Sequence, residues 1–123
     1  MAVVSIEPRA LNAAERAVLE HLLAADFPGA LELRAQLDRV EVVAAWSERS
    51  VSVDLRVRGA AESGRRSVLL PVGAEVYAED GGYVGELLLW AEGGEYLSAL
   101  EYAWVTDEMP TVLPAVERLR VGV

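Results

Sequence analysis

Glu86 and Glu101 are the two residues of this chain whose types and spacing are most suggestive of chemistry. They lie on either side of Gly93-Gly94, a dipeptide typical of a two-residue hairpin turn. With that turn, Glu86 lies directly opposite Glu101 on one face of an antiparallel pair of strands. Opposed carboxylates can share a proton for acid–base catalysis or bind a cation. The pair therefore makes a small enzyme or a small-ligand-binding domain one possible function.

Three other interpretations of this pair involve no chemistry. The two side chains can splay into water, pair with Arg56 and Arg58 from another strand, or be separated by a shift in strand register. Directly opposed like charges cost up to about 1 kcal/mol in a sheet, so the pair needs an explanation in any case. These interpretations outweigh catalysis, and we expect no catalytic residue here.

Acidic charge is concentrated in the second half of the chain. Residues 67–117 carry ten acidic side chains and no Lys, Arg or His, whereas residues 1–66 hold nine Arg against ten acids. Aromatic residues occur in the same acidic segment, and Trp and Tyr are common in the centres of protein interfaces. The resulting candidate binding surface consists of Glu86, Trp90, Glu92, Glu95, Glu101 and Trp104.

This distribution of charge favours a protein partner. A negative surface repels phosphate backbones, so we expect no nucleic acid to bind. The expected partner is a protein with a basic surface, for example a basic toxin neutralised by an immunity protein. A second copy of the chain is the other possibility, and a homodimer would then use the basic residues Arg56, Arg58, Arg65 and Arg66.

No other motif indicates a reaction. The single histidine, His21, has no evident nucleophile or orienting carboxylate, and we expect it on the surface of a helix. The acidic turn at Glu79-Asp80-Gly81-Gly82 lacks the ligand spacing of an EF-hand. A phosphate site in the loop from Gly59 to Gly64 has no helix start behind it. The chain has no cysteine and no nucleotide-binding or hydrolase motif, so we expect neither a cofactor nor a bound metal.

Length and composition favour one globular domain. The chain has 123 residues, of which 53% are hydrophobic and 25% charged, and its formal net charge is −9. A domain of this size can bury a sufficient core without disulfides. The first residues lack the basic and apolar regions of a signal peptide, and no apolar run is long enough to cross a bilayer. We therefore expect a cytoplasmic protein that does not bind membranes.

Hydrophobic spacing predicts two helices near the start of the chain. Asn12 and Glu15 form the pattern of a capping box, and apolar residues then recur every three or four positions. We expect one helix from about Ala13 to Ala25 and a shorter one from about Pro28 to Leu37. The first ten residues are expected to be extended.

From Arg39 onward the apolar period changes to two, which is typical of strands. We expect a hairpin of two strands near 40–46 and 51–57, followed by a polar loop from Gly59 to Arg66. Further strands are expected at 67–72, 83–92 and 95–106, and residues 75–79 are a candidate for one more short strand. Residues 116–123 are expected either to dock as a tail or to add a final short strand. Together these elements predict a single α+β domain over residues 1–123, with two N-terminal helices packed on one face of an antiparallel five- to six-stranded meander sheet.

The order of several short motifs resembles a small uncharacterised bacterial α+β family of the actinobacterial type. The motifs are Leu11-Asn-Ala-Ala-Glu-Arg, Phe27-Pro-Gly, Leu33-Arg-Ala-Gln-Leu37 and Leu97-Ser-Ala-Leu-Glu-Tyr-Ala-Trp. Members of that family carry cysteines around the first hairpin, where this chain has Trp46-Ser-Glu-Arg-Ser50. The resemblance implies no established activity, and any metal or redox role at that hairpin does not carry over.

Overall fold

The computed structural model describes residues 3–61 and 64–123 and contains seven strands and two α-helices. Met1, Ala2 and two residues of the predicted polar loop, Glu62 and Ser63, lie outside the described residues. In chain order the elements are β1 (Val4–Ala10), α1 (Ala13–Leu23), α2 (Ala30–Arg34), β2 (Val40–Ala45), β3 (Val53–Val57), β4 (Ser67–Tyr77), β5 (Tyr83–Glu92), β6 (Tyr96–Trp104) and β7 (Leu119–Gly122). Short 3₁₀ helices precede β2 and β7. In the described part of the chain, no helix is long and apolar enough to span a bilayer.

The seven strands form one antiparallel sheet in the order β1-β2-β3-β6-β5-β4-β7. The predicted α+β class is confirmed, but the prediction of five or six strands in a meander is wrong. Strands β4, β5 and β6 do form a meander, and β6 then returns to lie beside β3, which is a Greek-key arrangement. The sequence did not indicate this because no local signal shows which distant strands pair. β1 adds the seventh strand, from residues predicted only to be extended.

Alternating side chains give the sheet two different faces. On β5, Gly85, Leu87, Leu89 and Ala91 are buried, whereas Glu86 between them is exposed. The buried strand residues share one hydrophobic cluster with Val18, Leu19, Leu22 and Leu23 of α1 and Leu33 of α2. The helices therefore pack on the face that carries the apolar residues. We call the opposite face the outer face.

Helix α1 begins at the predicted capping box. The Asn12 side chain accepts a hydrogen bond from the Glu15 backbone N–H at 2.8 Å, and the Glu15 carboxylate accepts from the Asn12 N–H at 2.9 Å. The two terminal guanidinium nitrogens of Arg9 on β1, Nη1 and Nη2, also donate to the Glu15 carboxylate, at 2.8 and 2.9 Å. This bidentate pair connects the first strand to the helix and gives the buried Glu15 a compensating charge.

Helix α2 is shorter than predicted, and Gly29 caps its start in a left-handed conformation. Leu33 and Leu37 are buried, whereas Leu31 is exposed because it lies on the solvent side of this brief helix. The buried Gln36 follows α2 and connects this layer to the sheet. Its amide donates to the Glu95 carbonyl at 2.6 Å and accepts from the Leu97 N–H at 3.0 Å.

The β5–β6 hairpin has a different register from the one expected. Its turn contains three residues, Gly93-Gly94-Glu95, so that Glu92 is paired with Tyr96. A bulge follows between Trp90 and Ala91, and beyond it Glu86 pairs with Ala103. The predicted opposition of Glu86 and Glu101 is therefore wrong. A three-residue turn and a bulge are both common in hairpins, and each shifts the pairing of every residue beyond it.

Candidate functional site

The outer face between β4 and β6 carries a patch of acidic and apolar side chains. Three pairs of directly opposed residues from adjacent strands lie on it: Glu75 with Glu86, Leu88 with Glu101, and Leu69 with Trp90. Leu69 is 49% exposed, and Leu88, Trp90 and Glu101 are half-buried. We call these residues the outer patch: Leu69, Glu75, Glu86, Leu88, Trp90 and Glu101.

Two exposed carboxylates lie directly opposite each other in this patch. Glu75 of β4 is the register partner of Glu86 of β5. On the other side of Glu75, Arg120 of β7 is its partner, but the Arg120 guanidinium lies over the Tyr77 ring, 4.6 Å from the ring centroid. No ion pair to Glu86 is formed within residues 3–61 and 64–123. The opposed like charges are thus left mainly to solvent.

The charges of Glu75 and Glu86 affect the pKa of the Tyr83 side chain. Partial burial, together with the negative charges of Glu86 and Glu75, raises the pKa of the Tyr83 phenol. Its ring also forms an edge-on contact with Tyr77, with 5.7 Å between ring centroids.

Trp90 and Glu101 are joined by a hydrogen bond. The indole Nε1–H of Trp90 donates to Glu101 Oε1 at 3.0 Å, which fixes both side chains on the half-buried part of the outer face. A parallel arrangement occurs on β3, where Asp54 Oδ1 accepts from Trp46 Nε1–H at 3.0 Å. Each carboxylate keeps its second oxygen for another donor.

Glu92 and Glu95 do not belong to the outer patch, although the sequence placed them in the same candidate surface. They lie at the hairpin turn. Glu95 forms an ion pair with Arg65, with 2.7 Å between Arg65 Nη2 and Glu95 Oε2, and this hydrogen bond lowers the pKa of Glu95. Glu92 is close enough to Arg65 for its charge to raise the pKa of that guanidinium further. These two acids therefore neutralise a cation of their own chain.

Trp104, the last predicted site residue, lies at the far end of β6, opposite Gly85. It lines a cleft of about 220 Å³ together with Glu101 of the outer patch. The other wall of this cleft comes from the loop between β2 and β3, which contributes Trp46, Ser47, Ser50 and Ser52, and Met109 also lines it. The structure thus joins Glu86, Trp90 and Glu101 on one face, with Trp104 in an adjoining cleft.

Glu86 and Glu101 line two different cavities. Glu86 lies on an open shelf with Glu75, Gly73 and Leu88, whereas Glu101 borders the separate cleft. In the part of the chain that the structure describes, no group of three or more His, Asp or Glu residues is arranged to hold a metal. His21 is exposed near the end of α1.

Sequence reasoning missed Glu75 and Trp46. Glu75 was assigned to a short separate strand, because Pro71 and Gly73 interrupt the pattern of 67–77. β4 instead runs through both residues, with a register shift between Leu69 and Gly73. Trp46 lies far from Trp104 in the chain, and only the pairing of β3 with β6 brings them to one cleft. The Trp and three Ser in 46–52 were the available signal for Trp46.

Comparison of the chain with protein-family models, with curated proteins and with solved structures found no match, so the site's own geometry is the basis for any function assigned to it.

Proposed function

We propose that this protein is a non-enzymatic binding module whose outer patch docks against a basic surface of a partner protein. The observation that carries this proposal is the direct opposition of Glu75 and Glu86 on an exposed face. Opposed like charges destabilise the sheet of the free protein. A cationic partner relieves this repulsion because it attracts both carboxylates. Acid–base catalysis is disfavoured because Glu86 and Glu101 border separate cavities.

The apolar part of the patch supplies the rest of the contact. Leu69 is 49% exposed, and Trp90 and Leu88 lie half-buried beside it. An aromatic and aliphatic centre with charged residues at its edge is the usual composition of a protein interface. The Trp90 ring is already held by its hydrogen bond to Glu101, so little side-chain entropy is lost on binding.

A partner of different sequence fits this patch better than a second copy of the chain. Of the arginines expected to serve a homodimer, Arg56 is paired with Glu41 at 3.1 Å and Arg65 with Glu95. Arg58 donates to the Asp38 carbonyl at 3.2 Å. These cations are already engaged within the chain, so self-association through them requires breaking existing contacts.

Site-specific photocrosslinking tests the proposal. A photoreactive phenylalanine analogue replaces Leu88 in the outer patch or, as a control, the exposed Ala17 on α1. We expect irradiation in the native cell to link the Leu88 variant, and not the Ala17 variant, to a protein with a basic surface. Affinity for that purified partner should fall with added salt and in Glu86→Gln, because charge steers the association. Recovery of no basic partner, together with a monomeric solution mass, would contradict the proposal.

A further inference from the structure

The cleft beside the outer patch opens where β3 and β6 separate. Their pairing is limited to Val53 with Leu100 and Asp54 with Ala99. Beyond those two pairs, the loop between β2 and β3 diverges from the end of β6. The space between them measures about 220 Å³. This is below the usual range for drug-sized ligands, about 300–1,000 Å³, and suits a single side chain.

Hydrogen bonds hold the floor and one wall of the cleft in place. The buried Ser52 hydroxyl oxygen accepts from the Tyr102 backbone N–H at 2.9 Å, which joins the loop to β6. Ser50 Oγ accepts from the Ser52 N–H at 3.0 Å, which shapes the loop itself. Trp46 is anchored by its indole hydrogen bond to Asp54. The cleft is therefore formed before any ligand arrives.

Glu101 gives the cleft its charge. Glu101 is half-buried, and its carboxylate accepts a hydrogen bond from the Trp90 indole N–H at Oε1. Among the ion pairs of residues 3–61 and 64–123, none involves Glu101. A carboxylate that has lost part of its hydration and has no cationic partner is held at a cost in free energy. A cation that donates a hydrogen bond to its second oxygen offsets that cost.

The remaining lining selects the kind of cation. Trp46, Trp104 and Met109 present aromatic and thioether surface, which suits a group that is both charged and weakly hydrated. A guanidinium is planar, stacks on aromatic rings and is hydrated less strongly than an ammonium. Its apolar stem can lie along the same surface. The chemistry recognised is thus an alkyl guanidinium.

We propose that this cleft receives an arginine side chain of the partner protein. This inference rests on the proposed function, because Glu101 belongs to both the outer patch and the cleft. A basic protein docked on Glu75 and Glu86 has its own cations directly beside the cleft. The arginine inserts between Trp46 and Trp104, and its guanidinium donates to Glu101.

The test uses the indole N–H signals of Trp46, Trp90 and Trp104 in the ¹⁵N-labelled full chain, assigned with Trp→Phe variants. The probe is N-acetyl-L-arginine N-methylamide, and the corresponding citrulline derivative is its uncharged isostere. We expect saturable shifts of the Trp46 and Trp104 signals with the arginine probe and none with citrulline. Glu101→Gln should weaken binding about fivefold or more. Glu32→Gln, which removes the same charge at an exposed position of α2 outside both the cleft and the outer patch, should leave the dissociation constant within about twofold.

Three results would overturn the inference. One is the absence of saturable shifts at Trp46 and Trp104 in a protein whose other signals remain folded. Another is equal binding of the citrulline derivative, since the site would then not recognise the charge. The third is tenfold tighter binding of free L-arginine, which would assign the cleft to a small molecule rather than to a protein side chain. If the probe fails while crosslinking from Leu88 succeeds, the cleft assignment alone is wrong, and docking on the outer patch stands.

Discussion

Glu75 of β4 lies directly opposite Glu86 of β5 on the face of the sheet that the helices leave open. Paired positions in antiparallel strands bring side chains close together, and like charges there repel. A pair of this kind is disfavoured in a domain selected only for stability. Such a pair is expected where the two acids take part in binding a cationic surface.

Removing one charge of this pair should stabilise the free protein. We expect Glu86→Gln to raise the free energy of unfolding by about 0.2–1 kcal/mol, measured by urea denaturation, while weakening partner binding. Glu7→Gln on β1 removes the same net charge from an exposed strand. If both variants change stability equally, net charge rather than the opposed pair is responsible.

Gly85 permits the close approach of β5 and β6 beside the cleft. A Cβ at this position would clash with the Ala103 carbonyl oxygen and would lie 2.8 Å from Trp104 Cα. Both are backbone atoms, so the strands themselves would have to separate. We expect Gly85→Ala to lower the free energy of unfolding by about 3 kcal/mol or more. The measurement is the fall in the midpoint temperature of thermal unfolding. Gly122→Ala, where a Cβ meets nothing within 4 Å, is the control and should remain near wild type.

Gln36 connects the helical layer to β6 through a buried amide. Gln36→Leu would leave the buried Leu97 N–H without its acceptor. We expect a loss of about 1–3 kcal/mol in the free energy of unfolding, measured by urea denaturation. Glu32→Leu makes a similar polar-to-apolar change at an exposed site of α2 and should stay within about 0.5 kcal/mol of wild type. Equal stability of both variants would show that the amide is not needed.

The ion pair at the hairpin turn predicts a dependence on pH. Arg65 lowers the pKa of Glu95 below its ordinary value of 4.5, so the folded state holds the Glu95 proton less tightly than the unfolded state does. The stabilising contribution is therefore present above pH 4.5 and is lost as the pH falls through the lowered pKa. We expect Arg65→Gln to return the Glu95 pKa to its ordinary range, as followed by ¹³C NMR of the carboxyl carbon. Arg49→Gln, in the loop between β2 and β3, should leave it unchanged.

Local patterns predicted the elements well. The bounds of β5 at Tyr83–Glu92 and the start of α1 at Ala13 are confirmed, because alternation, turn residues and the Asn12 cap act over a few neighbouring positions. Of the two alternatives for residues 116–123, a docked tail and a final short strand, the structure shows the strand, β7. Helix α2 ends earlier than predicted, since a brief amphipathic segment does not determine its own length.

The pairing of the strands was harder to predict from the sequence than the strands themselves. The sequence predicted that Glu86 opposes Glu101, and this is wrong: Glu86 pairs with Ala103 of β6 and, on its other side, with Glu75 of β4. A two-residue and a three-residue turn at Gly93-Gly94-Glu95 differ little in local sequence, yet they change every partner along the hairpin. The cleft depends on the pairing of β3 with β6, which is decided by packing across the whole sheet.

The two residue pairs that join β3 to β6 have a consequence for the order of folding. β4, β5 and β6 are connected by tight turns and can form early, whereas Val53 must find Leu100 across a long closed loop of chain. Joining these two strands is therefore expected to be a late event in folding. Because the cleft is formed by the same junction, an arginine bound there would hold the two parts together and slow unfolding. Occupancy of the cleft would then extend the kinetic lifetime of the native state.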